Sequence, residues 1–178
     1  GGRLFGGFWQ ELNKKQRKNI IIDDEEAVSL DYSQMGPRIL YGVCRMIPTS
    51  NDCYRIPNYD RYRNGIKKVF NAMTFAEKPI IRFPKGVKQM FKEDIRFQEV
   101  SDAIQRYHSG IAHKFYAGIG HYLQYLESQI LIKVLLGLKD LGIHGLPIHD
   151  AVIVGKAWVD MSRQLMEQVF LDMTNVES

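Results

Sequence analysis

Two aspartates in this sequence each stand at the end of an apolar stretch. Asp31 lies within Val28-Ser29-Leu30-Asp31-Tyr32-Ser33-Gln34-Met35-Gly36-Pro37-Arg38, and Asp150 within Leu146-Pro147-Ile148-His149-Asp150-Ala151-Val152-Ile153-Val154. In the first stretch Val28 and Leu30 share one face of a predicted strand that ends in a carboxylate, and Pro37 opens a helix running to Met46. In the second, Ile148 to Val154 reads as a pair of short strands with His149-Asp150 at or near the turn. If the two Asp-bearing strands are neighbours in one sheet, the carboxylates converge at one edge. Such a pair can hold divalent ions roughly 3.5–4 Å apart, one for an attacking oxygen and one for a leaving oxygen. Magnesium suits this work, because it takes few protein ligands and shares phosphate oxygens. The plainer alternative makes Asp150 a turn residue and His149 its packed neighbour, since Asp is common at turns and caps.

A second set of residues has a spacing that could grip phosphate. Arg63, Lys67, Asn71 and Phe75 recur every four positions, which lines them along one face of a helix. A guanidinium and an ammonium one turn apart can hold a triphosphate, the first bidentately and the second as a point charge. An aromatic two turns on can pack against a base or sugar. A solvated basic face would show the same spacing, and Arg61 and Lys68 nearby belong to such a face. The run Lys14-Lys15-Gln16-Arg17-Lys18, with Phe5, Phe8 and Trp9 upstream, could track a nucleic acid backbone or be an ordinary solvated loop. His108, His113 and His121 fit no zinc spacing and read as structural or surface histidines.

These residues need elements to position them. Asn19 to Ile22 and Ala27 to Asp31 form a predicted hairpin turning at Asp23–Glu26. Asp60 caps a predicted helix from Arg61 to about Lys78, ahead of Pro79. Ile80 to Pro84 reads as extended. Val87–Phe91, Phe97–Tyr107 and Ile111–Tyr116 read as helical pieces. His121 to Leu141 is the longest helix, with Leu123, Leu126, Ile130, Val134, Leu138 and Leu141 as its apolar stripe. Trp158 to Met173 closes the chain as an amphipathic helix. Strands, then helices, then a short hairpin and a helix give an α+β fold with a small antiparallel sheet.

The bulk numbers are compatible with this order. A chain of 178 residues, 45% hydrophobic and 25% charged, is neither disordered nor membrane-like, and it is long enough for a real core. The net charge of +4 leans toward a polyanionic partner. Cys44 and Cys53 are too few for a zinc site and read as free thiols of a reducing compartment. No apolar run reaches the roughly 20 residues of a membrane span, and no signal peptide pattern is present, so a cytoplasmic setting is expected. The first residues, Gly1-Gly2-Arg3, include no Met, as in a fragment of something longer.

With the motifs laid out, a family resemblance emerges. Asp31-Tyr32-Ser33-Gln34 resembles motif A of family A (polymerase I-like) DNA polymerases, a fold shared with single-subunit phage-type RNA polymerases. Arg63, Lys67, Asn71 and Phe75 resemble the motif B fingers helix, and His149-Asp150 resembles motif C. The order A, B, C is the family's own. Gly2-Arg3-Leu4 resembles the segment before motif A, and Glu127-Ser128-Gln129 is loosely similar to a Gln-containing helix before motif C. The resemblance implies a reduced polymerase domain, with a palm at 1–56 and 121–178 and short fingers at 57–120. It implies that Asp31, Asp150 and the Tyr32 carbonyl ligate two Mg2+ ions, with Mn2+ as a substitute. It implies that Arg63 and Lys67 hold the incoming triphosphate, with Lys67 a candidate proton donor to pyrophosphate. Phe75 would stack near the templating pair, and Arg3, Gln129 and His149 would touch the primer terminus. The implied partners are a nucleic acid template and primer, nucleoside triphosphates, and further polymerase segments or replication proteins.

Several positions depart from the family pattern. Gly36, five residues after Asp31, stands where family A DNA polymerases place a sugar-excluding Glu, and the phage-type RNA polymerases also have Gly there. Phe75 replaces a Tyr, Ala76 a Gly, and Ala151 a Glu or Ser, while Asn71 stands where an aromatic or Met is usual. Tolerance of ribonucleotides is therefore expected. Thumb and exonuclease regions are not expected in this stretch, so short products or helper segments are. The reading is a template-directed nucleotidyltransferase. Its alternative is a catalytically weak or inactive polymerase-like module that only binds nucleic acid. A two-metal nuclease is disfavoured, because it would show more carboxylates and has no use for a triphosphate grip.

Overall fold

The hairpin that delivers Asp31 turns on two residues. Asp23 and Asp24 both take positive φ, 52° and 62°. That is the type I′ geometry whose twist matches paired strands. It joins β1 (Ile21–Ile22) to β2 (Glu25–Asp31), so β2 begins two residues before the predicted strand. The polar Glu25-Glu26 pair belongs to the ladder because the turn is tighter than composition suggested. A computed structural model describes residues 4–178. It divides into two compact units, one made of the chain up to Ile39 together with Gln124–Ser178, the other Leu40–Leu123.

The first unit is built on a four-stranded antiparallel sheet in the order β1-β2-β4-β3. β3 is Leu146–Ile148 and β4 is Ala151–Gly155. All five residues of β4 are buried, as suits a central strand covered on both faces. On one face Ala151 and Ile153 pack with Ile20, Ile22 and Ile148, and Trp9 and Leu12 close over them. Trp9 lies on α1 (Phe8–Glu11), and its Nε1–H donates to the Pro147 carbonyl at 2.8 Å. Pro147 has no N–H to offer a further strand, which fits its place on the edge strand β3. A short α2 (Lys14–Arg17) follows, capped by Asn13, whose side chain accepts from the backbone N–H groups of Lys15 and Gln16.

The other sheet face is covered by helices. Leu30 stands opposite Val152 in the ladder. Gly145 lets the chain pass close to Val152 and to Leu138 of α6 (Gly120–Asp140), where an added Cβ would meet Leu138 at 2.7 Å. Tyr32 follows β2, and its hydroxyl donates to the Met166 carbonyl at 2.7 Å while its ring lies 5.2 Å from that of Phe170. Met166 and Phe170 are the buried face of α7 (Val159–Thr174), which ends at Asn175 in the left-handed region.

The second unit is helical. α4 (Arg63–Phe75) buries Gly65, Ile66, Val69, Phe70, Met73 and Thr74. α5 (Phe97–Tyr107) buries Phe97, Val100, Ser101, Ala103 and Ile104, and its bounds match the predicted ones. His108 is 1% exposed and held on both sides. Its Nε2 lies 2.9 Å from the Cys53 carbonyl, and its Nδ1 lies 2.7 Å from the Tyr41 hydroxyl. A carbonyl can only accept, so Nε2 carries the proton and Nδ1 accepts from Tyr41. Burial pushes the His108 pKa down to about 4, with the bond to Cys53 acting weakly in the other direction.

Some predicted boundaries move, each for a local reason. α3 (Met35–Val43) starts before Pro37 and ends before Met46. The first turn needs no proline N–H, and Arg45 takes φ 54° just past the end. Asp60 does not cap α4. It lies in a 3-10 turn, Asp60–Tyr62, and α4 begins after it with Tyr62 as an N-cap lacking a side-chain bond. α4 also stops at Phe75, because the N–H groups of Tyr116 and Gly118 take the Met73 and Ala76 carbonyls. The predicted helical pieces at 87–91 and 111–116 are 3-10 turns, Lys88–Met90 and Ala112–Lys114. Residues 80–84 form no strand.

Candidate active site

The strands beside Asp31 and Asp150 are neighbours in one sheet. β2 pairs with β4, and Asp31 stands opposite Ala151, the residue that follows Asp150. Both aspartates are exposed at the same end of the sheet. Pleat parity puts Asp31 on the Ala151 face of β2. Asp150 lies in a two-residue turn, since Ile148 pairs with Ala151, so strand alternation does not fix its direction. His149, at the first turn position, has φ 55°, while Asp150 does not have positive φ.

Tyr32 has a divided role. Its side chain is buried, and burial, with help from the Glu167 charge, raises its pKa far above that of a free phenol. The hydroxyl is therefore a structural donor, and the backbone is left as the part that could serve a ligand. Leu30, Asp31, Tyr32 and Ser33 border a small open concavity with Arg163 and Glu167 of α7. Gly36, in the first turn of α3, does not face empty space. A Cβ there would lie 3.5 Å from Glu127 Oε1 of α6. Gln129 is half-buried on the same helix, and Arg3 lies outside the described residues.

In the second unit the four-residue spacing of α4 falls on its outer face. Lys67 and Asn71 are exposed, Arg63 is half-buried, and Phe75 is 39% exposed. Phe75 packs edge-on against His121, with ring centres 5.5 Å apart. Arg63 is not a loose cation. Its Nε donates to Asp52 Oδ2 at 2.6 Å, and its guanidinium lies 5.5 Å from the Tyr54 ring centre. The Lys67 ammonium lies 5.8 Å from the same ring. Sequence reasoning passed over Asp52 and Tyr54, because a polar loop between two prolines carries no periodicity to mark them. Their short spacing from each other was the available signal.

No family model matches the chain, and no curated protein matches it. Among solved structures it is similar to the POL domain of Pol1 from M. smegmatis, in complex with DNA primer-template and dNTP. The identity is 13% and the TM-score 0.51, over 88% of this chain and 39% of that one. The fold is polymerase-like. It is α+β, with a small antiparallel sheet and packed helices, as the sequence implied. The chain spans well under half the length of that POL domain chain, and at this identity the likeness is one of fold.

Among the described residues, no cluster of three or more His, Cys, Asp or Glu side chains could hold a metal ion. Two hard oxygen donors at one sheet end fit magnesium, which keeps waters and takes phosphate oxygens as its other ligands. No helix among the described residues is long and apolar enough to cross a membrane.

Proposed function

We propose that this chain is a template-directed nucleotidyltransferase of the polymerase I-like type, with a palm at 1–56 and 121–178 and reduced fingers at 57–120. The observation that carries the reading is the β2–β4 pairing, which sets Asp31 across from the neighbour of Asp150. The similarity of fold to a POL domain supports it, and so does the exposed basic face of α4.

In this reading Asp31, Asp150 and the Tyr32 carbonyl hold magnesium, which when bound offsets charge on the attacking and leaving oxygens. A primer 3′-hydroxyl attacks the α-phosphorus in line, and pyrophosphate leaves. Arg63 and Lys67 hold the incoming triphosphate, with Lys67 the candidate proton donor to pyrophosphate. Rate comes from positioning and charge stabilisation rather than covalent chemistry. Phe75 stacks near the templating pair, and Gln129, His149 and Arg3 contact the primer end. Gly36 permits a ribose, with the Glu127 carboxylate as the nearest group that could narrow the space. A cytoplasmic setting is part of this reading.

Primer extension in magnesium, with deoxy- and ribonucleotide sets offered separately, tests the proposal. Wild type should extend with both. Asp31→Ala and Asp150→Ala should each lower extension by about a thousandfold, and primer-template binding should stay within about threefold. Strict rejection of ribonucleotides would remove the Gly36 argument alone. Binding without any extension would favour the nucleic-acid-binding module.

A further inference from the structure

The α4 face carries two like charges at positions i and i+4, a pairing that costs stability on a bare helix. A merely solvated face would let both side chains spread into water. Instead the Arg63 guanidinium and the Lys67 ammonium lie over one aromatic ring, 5.5 and 5.8 Å from the centre of Tyr54. Tyr54 is itself fixed, at 3% exposure, and it packs edge-on against Phe70, a buried residue of α4. Rings at this distance attract cations, so Tyr54 offsets part of the repulsion.

Asp52 completes the frame. Its Oδ2 accepts Arg63 Nε at 2.6 Å, and its Oδ1 accepts the Tyr54 backbone N–H at 3.0 Å. Its own carbonyl is tied by the Ser50 hydroxyl at 2.9 Å and the Arg55 N–H at 3.1 Å. Partial burial works against ionisation of Asp52. The bonds from Arg63 and Tyr54 and the charges of Arg63 and Arg55 outweigh it, so the carboxyl stays ionised below its usual range. The bond to Asp52 uses Nε, and the terminal amino groups of Arg63 have no hydrogen bond among the described residues. Arg55 and Arg63 stand at the Asp52 carboxylate, and Lys67 lies over the Tyr54 ring, an excess of positive charge on a rigid base. Such an excess is suited to a polyanion, which the planar fork of a guanidinium can bind bidentately.

We propose that Asp52 and Tyr54 are positioning residues that pre-set Arg63 and Lys67 to grip the polyphosphate of a nucleoside triphosphate. This rests on the nucleotidyltransferase reading and names the groups that aim its cations. Asp52 gives up no proton and touches no phosphate. It fixes the Nε edge, so the two terminal nitrogens of Arg63 are presented as a pair.

The test uses the full chain. Binding of inorganic tripolyphosphate and of a nucleoside triphosphate is measured by calorimetry for wild type, Asp52→Asn, Tyr54→Phe and Lys67→Ala. Thermal melts confirm that each variant is folded. Asp52→Asn should weaken both ligands about tenfold and raise KM for the nucleotide more than it lowers kcat. Tyr54→Phe, which keeps the ring, should bind within about twofold of wild type. A nitrogen-15 spectrum of the wild-type arginine side chains supplies a variant-free readout. The Arg63 Nε–H signal should keep its hydrogen-bonded shift when tripolyphosphate is added. Loss of that signal's shift on binding, or equal or tighter binding by Asp52→Asn, would show Asp52 to be a competitor and overturn the proposal. If wild type and Lys67→Ala alike fail to bind either ligand, the nucleotidyltransferase reading itself falls and takes this inference with it.

Discussion

His149 holds φ 55° at the first position of a two-residue turn, a conformation that glycine adopts freely and other residues adopt at a cost. Left-handed backbone at a non-glycine residue costs about 1–3 kcal/mol, and such strain persists where something else requires the side chain. His149→Gly should therefore stabilise the protein by about 1 kcal/mol in urea unfolding, after allowing for the extra freedom of glycine in the unfolded chain. If the imidazole touches the primer end, the same variant should extend primers more poorly. A variant that is both less stable and fully active would show that the turn prefers histidine for its own sake. The site was only partly legible at this scale. Asp31 and Asp150 were identifiable because a carboxylate at the end of an apolar run breaks a pattern. Asp52, in a loop with no pattern to break, was not. The approach of Glu127 to Gly36 is a tertiary contact that no sequence spacing shows.

At the scale of elements, α4 and α6 meet at a point that bears on Phe75. An added Cβ at Gly120 would lie 2.5 Å from Phe75 Cγ and Cδ1, atoms near the root of the ring. The ring would have to turn away, and at 39% exposure it has solvent to turn into. Gly120→Ala should therefore cost about 1–3 kcal/mol of stability. If Phe75 stacks beside the templating pair, nucleotide KM in primer extension should rise several-fold. Unchanged kinetics would remove Phe75 from the site. The elements show what sequence pattern can and cannot settle. α5 was read to its end residues because its apolar spacing and the break at His108 agree. α4 was read too long at both ends, because a 3-10 turn replaces the expected Asp60 cap, and distant N–H groups from Tyr116 and Gly118 close its far end. Pairing of β2 with β4 is a long-range choice that no local spacing encodes.

For the whole molecule, acid should be the condition that exposes its weakness. His108 is neutral and fully hydrogen-bonded in the fold, with a pKa pushed down to about 4, and it regains its ordinary affinity for a proton on unfolding. The unfolded chain therefore binds more protons below its ordinary pKa, so stability is whole near neutrality and falls as pH drops from about 6.5 toward 4. The loss is of the order of 3 kcal/mol by pH 4. Urea midpoints measured at steps between pH 7 and pH 4.5 should show this slope in wild type and a shallower one in His108→Gln. Equal slopes would assign the acid sensitivity elsewhere. Composition allowed a core of this kind without naming its polar centre, since the partners Tyr41 and Cys53 come from separate parts of the chain.

The β3–β4 turn has a consequence for how such a chain can change over time. Ile148 and Ala151 are paired, so the turn has no spare residue. One inserted residue would force a bulge or slide β3 by one place, and the slide would exchange its buried and outward side chains. The irregular stretch at 76–87, where Ile81 is 87% exposed, has no partner strand to keep in step. Relatives of this chain should vary in length there and keep the residue count at His149-Asp150 fixed, whatever their sequences have become.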